Sequence, residues 1–404
     1  MRSLFLGVIC FFYLASSAIA QISDDVVRIG VINDQSGQFA YGTGQASVLA
    51  AKMAVDDFGG LVLGKPIEVL SADHQHKPDI GSSIARRWAD TEKVDAFADG
   101  ASSSVALAVQ QVAREKNKTF LIASAATSEL TGKSCNETST QWTYDTYALS
   151  NVLARAIVRG GGKEWFFVTA DFAFGHAMQR DATKFITDAG GTVLGSVKTP
   201  LNSPDFSSFL LQAAAKPFTV LALATAGGDT INLIKQVKEF RILKPGQSLA
   251  SMLFYINDID SLGLDVAQGL RLATSFYWDL NDETRAWTKR YMAYSGGKLP
   301  NMMQAGLYTA VTHYLKAIQA AGTDEAKAVA RKMREMRVND FYNKNVEIRA
   351  DGSVLHKMLL MQVKAPSESK YPNDFYKLIG ELPGSEAYRA MSDGGCALVN
   401  QGAK

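Results

Sequence analysis

The feature that most constrains this chain is an alternation of short apolar runs with longer helical stretches, and the chain runs through it twice. Val26 to Ile32 is a strand that ends in the turn-rich Asn33-Asp34-Gln35-Ser36-Gly37. Val48, Ala51, Val55 and Phe58 then recur at helical spacing until Gly59-Gly60, a C-cap signal. Ile67 to Ser71, Val94 to Ala98 and Thr119 to Ala123 are further strands, separated by helices marked by Ile80, Ile84 and Trp88 and by Val105, Ala108, Val109 and Val112. After a break around Ser139 to Thr146 the rhythm restarts, with strands at 164–169, 193–197, 219–224 and 252–255. Such βαβα order implies parallel sheets covered by helices on both faces. Long helical patterns at 282–294, 302–321 and 324–337 follow, and strand-like runs at 346–349 and 355–363 come last.

A length of 404 residues suits two or three domains. Hydrophobic residues make up 47% and charged residues 20%, enough apolar surface to offset the chain entropy. The net charge of +2 removes the electrostatic case for nucleic acid or for a polybasic membrane binder.

The first twenty residues belong to a different category. Arg2 supplies a positive start, Leu4 to Leu14 is apolar, and Ala18-Ile19-Ala20 has the form of a cleavage site. Residues 1–20 are expected to be a cleaved secretory signal, with Gln21 the first mature residue. Cleavage removes Cys10 and leaves Cys135 and Cys396 as an even pair in an oxidising compartment. A bridge between them would tie the C-terminal end to the first half; the alternative is two separate thiols.

Enzyme signatures are missing from the sequence. Gly42-Thr43-Gly44 has Ser47 where a dinucleotide fingerprint needs its third glycine, and no phosphate-binding Gly-Lys-Ser/Thr loop or Gly-x-Ser-x-Gly elbow occurs. Asp73-His74-Gln75-His76 would present both imidazoles together if it were strand. As a metal set it falls one ligand short, so the reading adopted is a solvated loop. His176 reads as a helix-start residue. No catalytic residue, metal or cofactor is expected.

In parallel α/β sheets, ligands sit beyond the carboxyl ends of the strands. At those ends lie Ser36, Gly37, Phe39 and Tyr41, then Ser102-Ser103-Ser104, then Ser124-Ala125-Ala126-Thr127. Serine hydroxyls beside helix N–H groups suit a carboxylate, although each serine alone would serve as an ordinary N-cap. Phe172 and Phe174 occupy a later strand-to-helix loop, and Phe276, Tyr277 and Trp278 another strand end. Asn257, Asp258 and Asp260 also follow a strand. An acid there would pair with an ammonium on a ligand or cap the next helix.

The segments VRIGVINDQSGQFAYGTG, DGASSSVALAV, SAATSELTG, TADFAFGHAM and QAGLYTAVTHYLKAI, in this order, resemble the leucine/isoleucine/valine-binding family of periplasmic substrate-binding proteins. The resemblance runs from about Val26 to about Val363. It implies a type I periplasmic binding protein fold, α/β in class, with two doubly wound parallel-sheet lobes joined by a three-segment hinge. The expected division is 24–147 plus 280–345 for lobe 1, 148–279 plus 346–375 for lobe 2, and a C-terminal tail over 376–404. It further implies an extracytoplasmic, non-catalytic solute-binding protein of an ABC importer, monomeric and partnered by an inner-membrane permease, that closes on a small carboxylate-bearing ligand. A ligand-sensing receptor or regulator on the same fold is the alternative.

Position by position, the resemblance places Tyr41 over the ligand, Ser102 on its carboxylate, and Ala125 and Thr127 as backbone and hydroxyl contacts. Phe174 stands where the family has a tyrosine, so a phenolic hydroxyl is lacking, and Ala226-Gly227 stands where another aromatic is usual. The acid for a ligand's amino group falls near Asn257 or Asp258. These departures favour an aromatic or other organic acid over an aliphatic amino acid.

Overall fold

The computed structural model describes residues 22–399. The expected signal segment 1–20, Gln21 and Cys10 lie outside the described residues.

The first half contains β1 (Val27–Asn33), α1 (Gly44–Phe58), β2 (Leu61–Val62), β3 (Lys65–Asp73) and α2 (Pro78–Asp90). It continues through β4 (Ala96–Asp99), α3 (Ser103–Lys116), β5 (Thr119–Ile122) and β6 (Ser139–Gln141). The second unit runs α4 (Thr146–Arg159), β7 (Glu164–Ala170), α5 (Ala173–Asp188), β8 (Thr192–Thr199), α6 (Ser207–Ala214) and β9 (Val220–Ala224). Next come α7 (Gly228–Glu239), β10 (Ser248–Ser251), α8 (Asp258–Leu262), α9 (Leu264–Ala267) and β11 (Arg271–Thr274). The last elements are α10 (Asp282–Tyr294), α11 (Met302–Ala321), α12 (Ala326–Glu335), β12 (Met358–Val363), β13 (Tyr376–Leu382) and α13 (Gly384–Ala387).

The strands form two sheets, ordered β2-β3-β1-β4-β5-β6 and β13-β12-β11-β10-β9-β7-β8. Pairing is parallel except at β2, β12 and β13. Alternation along single strands explains the helical cover on both faces. In β4, Ala96 and Ala98 join the core under α1 and α11, while Phe97 points to the opposite core under α2 and α3. In β7, Trp165 and Phe167 face α4 and α5, whereas Phe166 and Val168 face the other layer with α6 and α7.

The chain leaves the first sheet after β6, returns after β11 through α10, α11 and α12, and leaves again before β12. The two lobes are therefore joined by three crossings. The structure corrects three details. Residues 376–382, expected as part of a separate tail, form the edge strand of the second sheet, pairing antiparallel with β12. The strand expected at 346–349 is reduced to isolated bridges, because the chain turns at Gly352 (φ 90°) and Arg349 and Ser353 gather around Asp351. The strand expected at 252–255 ends instead at Ser251, whose hydroxyl donates to the Leu253 carbonyl and turns the chain.

Beyond α13 the chain passes back to the first lobe, where Cys396 is joined to Cys135 with the two Cα atoms 5.6 Å apart. Among the described residues, no helix is long and apolar enough to cross a membrane.

Candidate functional site

Each sheet has a point where strand order reverses, between β1 and β4 in the first and between β7 and β9 in the second. Loops leaving these points face one another across the crossings and line a small, partly open cavity. Its walls are Phe39, Ser102, Ser103, Ser124 and Ala126 from the first lobe, and Phe172, Phe174, Ala226, Leu253 and Tyr255 from the second. No lining residue among those described carries a charged side chain.

Three helices begin at this cavity: α3 after Ser102, α5 after Phe172 and α7 after Gly227. Their N-terminal N–H groups bring partial positive charge to a space lined by hydroxyls and rings. The Ser102 hydroxyl makes no capping bond to the backbone of its own helix; it lines the cavity, 3.2 Å from His76 Nε2 and 3.3 Å from the Ser104 hydroxyl. Its position is set from below. Asp99 (φ 78°) and Gly100 (φ 74°) turn the chain sharply at the end of β4. The Asp99 carboxyl is buried, accepts from Asn33 Nδ2 at 3.0 Å and from the Ser124 hydroxyl, and is pushed up to about 6 by burial.

The lobes are in contact across the cleft. Phe39 of the first lobe lies against Gly227 of the second so closely that a Cβ on Gly227 would come 2.8 Å from the Phe39 ring and 3.0 Å from the Gln38 carbonyl. Rings continue across the gap from Phe39 to His76 (4.9 Å, stacked), His76 to Phe172 (5.3 Å, edge-on) and Phe172 to Phe174 (5.8 Å).

Of the residues singled out from sequence, Ser102 and Phe174 line the cavity and Gly227 forms part of the lobe contact. Tyr41 and Asp258 meet each other instead, the Tyr41 hydroxyl donating to Asp258 Oδ1. Asp258 Oδ2 accepts from the Tyr255 N–H at 2.8 Å, and burial pushes this carboxyl up to about 7. Thr127 is buried beside the cavity, not in its wall. Its N–H donates to the Ser103 hydroxyl at 3.1 Å, and its own hydroxyl accepts from the Glu129 N–H. The Ala125 carbonyl accepts from Gln141 Nε2 at 2.8 Å.

Asp73-His74-Gln75-His76 leaves the strand as a loop, as expected, but its histidines are packed into the protein, not solvated. β3 ends at Asp73, and Gln75 and His76 take left-handed conformations (φ 50° and 58°), so the two imidazoles are not presented side by side along a strand. His74 is buried and its imidazole is pushed down to about 4 by that burial. His76 is inserted between Phe39 and Phe172, with Nε2 3.2 Å from the Ser102 hydroxyl. Tyr255 and Leu253 were also missed, because the strand there was expected to run through them. A larger groove around Phe341, Tyr342 and His356 lies on the crossing segments, away from the strand ends that face each other.

Two doubly wound lobes, three crossings and a cavity between opposed helix N-termini define a two-lobed binding protein. The chain belongs to the periplasmic binding protein family, whose sequence pattern matches residues 26–370. A periplasmic binding protein from Burkholderia mallei is 46% identical, with a TM-score of 0.90 over 93% of this chain and 99% of that one. A branched chain amino acid ABC transporter periplasmic ligand-binding protein from Burkholderia xenovorans LB400 is 35% identical, with a TM-score of 0.82 over 92% and 99%. The Leu/Ile/Val-binding protein homolog 6 of Brucella melitensis is 27% identical over 340 residues, 81% of this chain and 85% of the relative. These are binding proteins of transport, not enzymes.

Proposed function

We propose that this chain is the solute-binding component of an ABC importer, exported to the periplasm, and that it captures a small carboxylate with an apolar or aromatic body. The observation that carries this reading is the cavity itself: three helix N-termini and the hydroxyls of Ser102 and Ser103 at its polar part, with Phe39, Phe172, Phe174 and Tyr255 around the rest. Helix-end amides and hydroxyls suit an anion, and rings suit an apolar body of limited size. The names of the Burkholderia xenovorans and Brucella relatives point to transported solutes that carry a carboxylate.

Within that class the site favours an acid that lacks an amino group. An ammonium would need an acceptor in the cavity wall, and Asp258 does not line the cavity but is turned to Tyr41 and the Tyr255 N–H. Residues 1–20 supply the export signal in this reading.

Thermal shift and calorimetry on residues 21–404 test it with benzoate, 4-hydroxybenzoate, leucine and valine, beside benzamide and methyl benzoate as uncharged controls. Binding stabilises by RT ln(1 + [L]/Kd), so a carboxylate at a hundred times Kd adds about 2.7 kcal/mol. The expected result is a raised melting temperature with the aromatic acids and none with the controls. Equal shifts from benzoate and methyl benzoate, or no shift from any carboxylate, would overturn the reading.

A further inference from the structure

We infer that His76 is a positioning residue of the inter-lobe site, and that its imidazole takes up a proton from solvent when a carboxylate binds beside Ser102. The inference rests on the carboxylate reading of the cavity and adds a counter-charge to it. Without one, an anion closed between the lobes would face only hydroxyls and helix ends, since no lining residue among those described is charged. Taking an anion out of water is costly unless a charge or several donors compensate it. His76 is the titratable group placed to do so: it stacks on Phe39, meets Phe172 edge-on and holds Nε2 3.2 Å from the Ser102 hydroxyl. When Nε2 carries its proton toward Ser102, the serine hydroxyl is free to donate to the ligand.

The second ring nitrogen, Nδ1, is buried without a hydrogen-bond partner, so the ring is held through Nε2 and its aromatic contacts alone. The backbone at Gln75 and His76 is held at positive φ, a conformation that persists in non-glycine residues only where surroundings impose it.

The charged and titratable groups around the ring are few. From its own loop come Asp73, whose oxygens are taken by Gln35 and Ser36, and His74, whose Nδ1 accepts from the His76 N–H; Lys77 is exposed. From the β1–α1 loop, Asp34 faces the ring while accepting from the Gly37 and Phe39 N–H groups. From the second lobe, Asp171 precedes Phe172 and is paired with His176 and Lys198. Burial lowers the His76 imidazole below its ordinary value, and Asp34 opposes that shift. The empty site thus keeps the ring neutral at neutral pH, and an arriving anion raises its proton affinity. A group whose pKa rises on binding strengthens binding as pH falls.

Calorimetric titration of benzoate and of leucine at pH 7.5, 6.5 and 5.5, in buffers of different ionisation enthalpy, tests this on the parent and on His76→Gln. Glutamine keeps a donor near Ser102 and does not titrate. The expected result is proton uptake in the parent, with benzoate affinity rising by up to about tenfold per pH unit as pH falls. His76→Gln should bind with no such dependence and with the melting temperature of the empty protein retained. Carboxylate binding without proton uptake and with equal affinity at the three pH values would overturn the role of His76 and leave the carboxylate reading standing. The parent's pH dependence persisting in His76→Gln would do the same. If neither benzoate nor leucine gives heat or a melting shift in the parent at any pH, the carboxylate reading falls, and this inference with it.

Discussion

The hydroxyl of Tyr41 in the first lobe donates to the buried carboxyl of Asp258 in the second, closing the cleft at its edge. Asn301 reinforces this contact, its Nδ2 reaching the Gly42 carbonyl at 2.9 Å and Asn257 Oδ1 at 2.8 Å. The contact joins the β1–α1 loop of the first lobe to α8 of the second, so it is expected to form when the lobes close and to break when they part. Removing the hydroxyl with Tyr41→Phe leaves a buried acceptor without its donor, at a cost of about 1–2 kcal/mol to the closed form. Ligand affinity should fall roughly five- to thirtyfold, and small-angle scattering should show a larger radius of gyration at a given sub-saturating ligand concentration. Unchanged affinity would show that the contact contributes nothing to closure.

The same pair makes stability depend on pH. Asp258 titrates at about 7 in the folded protein, raised by burial from an ordinary carboxyl near 3.8. Between those values the folded state holds more protons than the unfolded one, so this group's contribution is fully present below about pH 4 and is lost as pH rises through about 7. Asp258→Asn removes the titration. The melting temperature of the variant minus that of the parent should therefore be more positive at pH 8 than at pH 4.5, by an amount corresponding to a few kcal/mol. A difference that stays constant across this range would refute the assignment.

Ser102 and Thr127 follow adjacent strands, yet the two substitutions should act differently. Ser102→Ala removes a hydroxyl that faces the cavity and is free of its own helix cap. It should weaken carboxylate binding about ten- to hundredfold while the empty protein melts nearly as before. Thr127→Ala removes a hydroxyl that already accepts from the Glu129 N–H. It should lower the melting temperature by the equivalent of about 1 kcal/mol and change affinity little. Calorimetry and thermal melts on both variants separate the two roles, and equal affinity losses would place Thr127 in the site.

Gly227 has φ 67° and packs against Phe39 and the Gln38 carbonyl. Any side chain there pushes on backbone that belongs to the other lobe. Gly227→Ala should hold the lobes apart, with weaker binding and a radius of gyration that ligand reduces less than in the parent. Full ligand-induced compaction of the variant would contradict this contact.

The bond between Cys135 and Cys396 closes 261 residues of chain and fastens a segment that follows the second sheet onto the first lobe. Replacing both residues by serine should cost about 2–5 kcal/mol of stability, read as a lower melting temperature or denaturant midpoint. Alkylation without reductant, followed by intact mass, should find both sulfurs unlabelled; two labels would contradict the bond.

Much of the fold was legible because period-two alternation and helical spacing are local properties. The strands at Val26 to Ile32 and at 164–169, and the helix at 302–321, needed nothing beyond their own residues. The edge strand 376–382 was not legible. Its exposed Leu378 and Ile379 break the pattern, and it becomes a strand only because β12 offers a pairing edge.

The site divides along the same line. Sequence alone determined that serines and phenylalanines stand at strand ends, since turn and cap chemistry mark those positions, and so Ser102 and Phe174 were in view. It also left Cys135 and Cys396 as the even pair that the structure joins. Only the tertiary structure decided that Tyr41 and Asp258 occupy each other, that Thr127 is spent on its own turn, and that His76 leaves its loop to stand between Phe39 and Phe172. The reason is physical. For Tyr41, Asp258 and His76, which polar group remains free for a ligand depends on what folding brings against it from elements tens to hundreds of residues away, whereas Thr127 is spent on a turn of its own.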